Sequence, residues 1–142
     1  HLTVAYPFKD DLLPDDHRSL TELFLSFHEF AVCGKWTGWF DQAVVFVEPE
    51  NPDTVIAMIQ AVQDAFPDYP IYGGVFDAVV PHLTIGHDQT LAVLRAAERV
   101  VRGRLPFVQP VDHVELWSGP PLAVAQANSW RHVRDYLLAR PS

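Results

Sequence analysis

The stretch 79-VVPHLTIGH-87 decides how the chain is read. A proline interrupts an apolar run, and histidine, leucine, threonine and isoleucine follow in order. The chain opens on the same series, 1-HLTVAYPF-8, so His-Leu-Thr followed by an apolar β-branched residue is written twice. In a strand, residues two apart point to the same face. Each copy, read as a strand, therefore presents an imidazole and a hydroxyl side by side: His1 with Thr3, and His82 with Thr84. Leu2, Val4, Leu83 and Ile85 then turn toward a core.

The same order of elements recurs around each copy. Residues 1 to 6 alternate and are β-rich, and Pro7 ends them. From a candidate N-cap at Asp15 or Asp16, the apolar residues Leu20, Leu23, Phe24 and Phe27 recur at helical spacing. A strand follows over about Glu29 to Trp36, then a turn at TGWFDQ (37–42) and a buried strand, AVVFVEP (43–49). Residues 51–66 predict a helix with Asn51 as cap and Pro52 in its first turn. The loop PDYPIYGG (67–74), with two prolines and two glycines, marks the boundary between halves. In the second half, His82 to His87 reads as a strand. Residues 88–103 read as a helix with Asp88 as cap and Gly103 as stop. LPFVQPVDHVELWS (105–118) gives one strand or two short ones, and GPP (119–121) a turn. LAVAQAN (122–128) is a further strand, and SWRHVRDYLLAR (129–140) a closing helix capped by Asn128 or Ser129.

Each half thus reads as a β-α-β-β-α unit, and an internal repeat outweighs any single residue as a fold signal. Two such units predict one α+β domain over residues 1–142. It would be bilobal and pseudo-twofold, with antiparallel sheets facing a central cleft and helices outside. Lobe 1 would span about residues 1–70 and lobe 2 about 71–142.

Composition narrows the function classes. A chain of 142 residues with 49% hydrophobic and 20% charged residues has an ordinary globular make-up. No apolar run approaches the roughly 20 residues of a membrane span, and no membrane partner is expected. The start lacks a basic region and a small-residue cleavage site. Cys33 is the only cysteine, so an internal disulfide and a cysteine-rich zinc site are excluded and a cytoplasmic setting is expected; a monomer is expected as well. The net charge of −8 argues against tight binding of long nucleic acid. It leaves room for a small phosphorylated ligand in a locally positive cleft. The chain starts without methionine, inside a strand pattern, so a preceding segment is expected, either missing from this sequence or removed by processing.

Two histidines flanking a small substrate suit a reaction that removes one proton and donates another. A neutral imidazole is the base and an imidazolium the acid, and the ordinary histidine pKa near 6.5 serves both roles. Threonine hydroxyls can donate to the nonbridging oxygens of a phosphate as charge builds. In-line transfer at a phosphodiester follows, with no metal or cofactor required.

The paired motifs at His1–Val4 and His82–Ile85 resemble those of the two-histidine phosphoesterase superfamily. That group includes bacterial 2′-5′ RNA ligase-like proteins and cyclic phosphodiesterases. TGWF before VVFVEP, and YGGVFDAVVPHLTIGH (72–87), resemble its small bacterial members, and the similarity covers nearly the whole chain. The resemblance implies a bilobal fold and metal-independent chemistry on 2′,3′-cyclic phosphates or 2′-5′ linkages of RNA ends or small nucleotides. It makes His1 and His82 the acid/base pair, and Thr3 and Thr84 the phosphate-oxygen donors. Members normally carry a strand and a helix before the first motif, and this sequence departs from that pattern.

Trp39, Phe40, Tyr72 and Phe8 are loop or loop-edge aromatics that could stack on a base or pack the core, and Lys9 is a candidate cleft cation. Arg95, Arg99 and Arg102 form one stripe of a helix and read as a solvated face. His17, His28, His113 and His132 show no metal-ligand spacing. Two other readings stand beside the enzyme. One is a nucleotide or RNA-end binding module of the same fold without turnover. The other is copper chelation by a free N-terminal histidine, against which the single cysteine and missing signal segment speak.

Overall fold

A computed structural model describes residues 1–121 and 129–142; the strand expected at 122–128 lies outside the described residues. In chain order the elements are α1 (Pro14–Leu25), β1 (Phe30–Phe40), β2 (Val44–Pro49), α2 (Asp53–Ala65), β3 (Leu83–His87), α3 (Leu91–Arg102), β4 (Phe107–Val111), β5 (His113–Ser118) and β6 (Arg131–Leu137). A 3₁₀ turn, Ile71–Gly74, precedes β3. The chain is α+β, and its residues group into two compact units. One comprises residues 1–10 and 31–110, the other residues 11–30 and 111–142.

The first unit holds a four-stranded sheet of order β3-β2-β1-β4. β1 and β2 come from the first half of the sequence, β3 and β4 from the second. β1 pairs antiparallel with β2, and β2 with β3. The turn after β1 falls at Asp41, where φ is +52°, and not across TGWF. Residues 37–40 continue the strand because each has a partner on β2, from Thr37 opposite Val47 to Phe40 opposite Val44. Val45, Phe46 and Val47 of β2, with Val55, Met58, Ile59 and Val62 of α2 and Leu94 of α3, are buried. Gly34 and Gly38 are places of close approach. A side chain at Gly34 would strike the Phe107 ring, and one at Gly38 would come within 2.7 Å of the Phe46 ring.

The helices follow their sequence signals with shifted caps. α1 starts one residue before the expected caps, with Pro14 in its first turn, and the Asp16 carboxylate accepts from the Leu13 N–H (2.7 Å). α2 begins after Pro52 rather than from an Asn51 cap. At α3 the cap is Thr90, whose hydroxyl accepts from the Val93 N–H, and not Asp88. Among the described residues, no helix is long and apolar enough to cross a membrane.

The second unit pairs β5 with β6 as an antiparallel ribbon, against which α1 packs. The Phe24 ring lies 5.7 Å from that of Tyr136, and His17 Nδ1 is 2.7 Å from the Tyr136 hydroxyl. The closing helix expected over 129–140 is instead the strand β6. Its one buried residue is Tyr136, and Leu138, just past its end, is buried two residues on, which is strand periodicity. The spacing of Trp130, Val133 and Leu137 suits a helix equally well, and the ladder to β5 decides the outcome.

Residues 1–6 also depart from expectation. They form no strand, because neither edge strand of the sheet, β3 or β4, pairs with them. The segment is anchored instead through residues 66–72. The Tyr72 N–H donates to the Tyr6 carbonyl (2.5 Å), and the Phe8 ring packs edge-on against Phe66 and Tyr69.

Candidate active site

The second motif is held by β2. Leu83 lies opposite Val47 and Thr84 opposite Phe46, while Phe46 in turn lies opposite Gly38 of β1. Partners directly opposite in an antiparallel pair share a face. Thr84, Phe46 and Gly38 are therefore on one face, and Leu83 and Val47 on the other. The register then shifts, so that Gly86 lies opposite Val45 and Ile85 is the extra residue of a bulge. That bulge turns Gly86 to the face where α3 packs, its Cα side against Leu94. Thr84 stays on the opposite face, exposed to solvent.

His82 immediately precedes β3 and is half-buried on the Thr84 face. Its ring meets Phe40 edge-on (centroids 5.0 Å apart, planes at 88°) and lies 5.4 Å from the Phe46 ring. Phe40 and Phe46 are themselves 4.3 Å apart. The absence of a side chain at Gly38 makes room for the Phe46 ring. His82 Nδ1 is 2.7 Å from the Val80 carbonyl oxygen. A carbonyl can only accept, so Nδ1 carries the hydrogen and donates it. Nε2 is left as the nitrogen that takes up a proton in the neutral ring and gives one up in the imidazolium. A histidine oriented through one nitrogen works through the other.

The other sequence candidates fall in different places. His1 is exposed and Thr3 half-buried, both on the irregular N-terminal segment. Tyr72 sits in the 3₁₀ turn with φ of +51°, followed by Gly73 and Gly74 in the same left-handed region. Two glycines accept that backbone without strain, whereas a tyrosine is rarely found there. The Tyr72 ring packs edge-on against Phe76. Phe8 is packed as described above, and Lys9 is half-buried beside it in sequence. Trp39 alternates to the α3 face, where its indole N–H donates to the Glu98 carboxylate (3.1 Å). Phe40, and not Trp39, is the aromatic beside His82.

Glu98 also accepts from the Thr37 hydroxyl (2.6 Å). That hydrogen bond first, then the one from Trp39 and the charges of Arg102 and Arg95, hold its carboxyl below the usual range against partial desolvation. An open groove of about 330 Å³ lies on this side, lined by Trp39, Asp41, Gln42, Leu91, Arg95 and Arg99, with Glu98 among them. It does not include His82. Sequence reasoning missed Phe46 and the Val80 carbonyl as His82's supports. The proline after Val80 was a usable signal for the second, and no signal short of strand register marks the first.

Among known proteins, a family model described as the 2′-5′ RNA ligase superfamily matches residues 1–120. No curated protein matches the chain.

Proposed function

The chain belongs to the 2′-5′ RNA ligase superfamily, the two-histidine phosphoesterases. On that premise we propose that it is a metal-independent phosphoesterase acting on a 2′,3′-cyclic phosphate or 2′-5′ phosphodiester of an RNA end or small nucleotide. The observation that carries this reading is His82. Its Nδ1–H is committed to the Val80 carbonyl, its ring is walled by Phe40 and Phe46, and Thr84 shares its face.

In the hydrolytic direction, water attacks phosphorus as one histidine accepts its proton through Nε2. The P–O bond to the ribose breaks in line, and the second histidine protonates the departing ribose oxygen. The product is a phosphomonoester with a free ribose hydroxyl. The Thr84 and Thr3 hydroxyls donate to the nonbridging oxygens as they gain charge. His1 supplies the second imidazole, and Phe40 offers a ring edge and face to the base.

The test is turnover of a nucleoside 2′,3′-cyclic phosphate by the wild type, His82→Ala and His1→Ala, each with and without EDTA. Loss of one acid/base partner is expected to lower kcat by about 10²–10⁴-fold, with wild-type activity unchanged by chelator and bell-shaped in pH. Unchanged turnover in His82→Ala sinks the mechanism. Tight binding of the nucleotide with no turnover by the wild type replaces it with the binding-module reading.

A further inference from the structure

The β5–β6 ribbon gathers groups that are scattered in the sequence. Glu115 lies directly opposite Asp135, and His113 is two residues before Glu115, so all three side chains share one face. Their donor atoms, one imidazole nitrogen and two carboxylate oxygens, all lie within 4.8 Å of one another. Beyond the Leu116–Arg134 pair and a register shift, Trp117 lies opposite His132 on the same ribbon.

From this juxtaposition we propose that His113, Glu115 and Asp135 bind a divalent first-row transition ion, Zn²⁺ in the first instance, which ties β5 to β6. The donor set is mixed, one nitrogen and two oxygens, and suits zinc rather than Mg²⁺ or Ca²⁺, which take oxygen ligands. At metal–ligand bonds of about 2.0–2.1 Å, a tetrahedral site places adjacent donors roughly 3.3 Å apart. His113 Nε2 and Glu115 Oε1 already stand 3.4 Å apart, and a ligand oxygen of Asp135 lies within the same 4.8 Å group.

Each ligand is oriented by a neighbour, as metal ligands usually are. The Asp112 carboxylate takes His113 Nδ1 (2.5 Å) and turns Nε2 toward the site. The Trp117 indole N–H donates to Glu115 Oε2 (2.7 Å), leaving Oε1 for the ion. His132 Nε2 contacts Asp135 Oδ1 (2.6 Å), so it positions this carboxylate or joins as a fourth ligand. Three ligands leave at least one position open to water. Like charges directly opposite each other weaken a strand pair, and a cation between Glu115 and Asp135 removes that repulsion. A two-stranded ribbon is only marginally stable by itself, so the cross-strand tie strengthens the unit that most needs it.

The experiment is calorimetric titration of chelator-stripped protein with Zn²⁺ at neutral pH or slightly above, paired with thermal unfolding. The wild type is expected to bind one equivalent saturably at micromolar Zn²⁺. Its Tm should rise by about 5–10 °C at a hundredfold excess over Kd. Asp135→Asn and His113→Gln should each weaken binding by about 10²-fold, and the positioning variant Asp112→Asn by about tenfold. Far-UV dichroism of the stripped variants checks their fold, and Glu115→Gln replaces any that fails to fold. His82→Ala should bind as the wild type does. Absence of saturable binding overturns the proposal. So does binding that survives Asp135→Asn and His113→Gln, or that is lost in His82→Ala alone.

Discussion

His1-Leu2-Thr3 and His82-Leu83-Thr84 are identical in sequence, yet one is irregular backbone and the other is fixed by a strand. The difference lies in neighbours. Leu83 and Thr84 have Val47 and Phe46 across a ladder, and His82 has two phenylalanine rings and a carbonyl. Residues 1–3 have no ladder partner among the described residues. Strand alternation is a property of a paired chain, so a motif's facing direction belongs to its partner as much as to itself.

Four substitutions, with Leu2→Ala as the control for the first, probe that contrast in decreasing order of effect. Phe46→Ala removes a buried ring that supports Thr84's partner strand and His82's wall. It should cost about 3–5 kcal/mol in denaturant unfolding, whereas Leu2→Ala, on the half-buried first copy, should cost less than about 1 kcal/mol. Equal costs would mean that the first copy is as firmly built as the second. Thr84→Val should lower kcat for the cyclic phosphate by about 10²-fold with little change in KM, as expected for a donor that acts on developing charge. A larger change in KM than in kcat would make Thr84 a ground-state contact instead. Phe40→Ala should raise KM by roughly five- to tenfold through lost stacking. Its stability should move little, since that ring is 37% exposed.

The smallest effect is on the opposite face of the same sheet. Glu98 holds Thr37 and Trp39 through a carboxylate whose pKa is depressed in the folded state. A depressed folded pKa contributes stability above the unfolded value, near 4.3, and loses it as pH falls through the folded value. Glu98→Gln should therefore lower stability by about 1 kcal/mol at neutral pH. The gap to the wild type should close in thermal scans taken well below pH 4. A gap independent of pH would assign the loss to packing rather than charge.

Much of the fold was legible because helices and central strands announce themselves locally. α1, α2 and α3 rest on three-four spacing and on proline and glycine at their ends, and β2 on an unbroken apolar run. Two errors share one cause. TGWF contains a glycine and reads as a turn, but its pairing with 44–47 keeps it extended. The run 131–137 reads as a helix by spacing, but pairing with β5 makes it a strand. Once 131–137 is a strand, Asp135 comes opposite Glu115, a juxtaposition no helical reading would produce. At the candidate site, alternation put His82 and Thr84 on one face, whereas it did not separate Trp39 from Phe40, because the parity of β1 depends on where its turn falls.

By itself the sequence determined the family, the pairing of an imidazole with a hydroxyl two residues on, and the helices that carry their own apolar stripes. These are short-range patterns, and the chain's covalent spacing enforces them. Only the tertiary structure decided which face each strand residue takes, which nitrogen of His82 is committed, and that His113, Glu115 and Asp135 stand together. Those depend on register and on bulges such as the one at Ile85. Register is settled by the packing of distant segments, because a slip of one residue reverses every side chain in the strand.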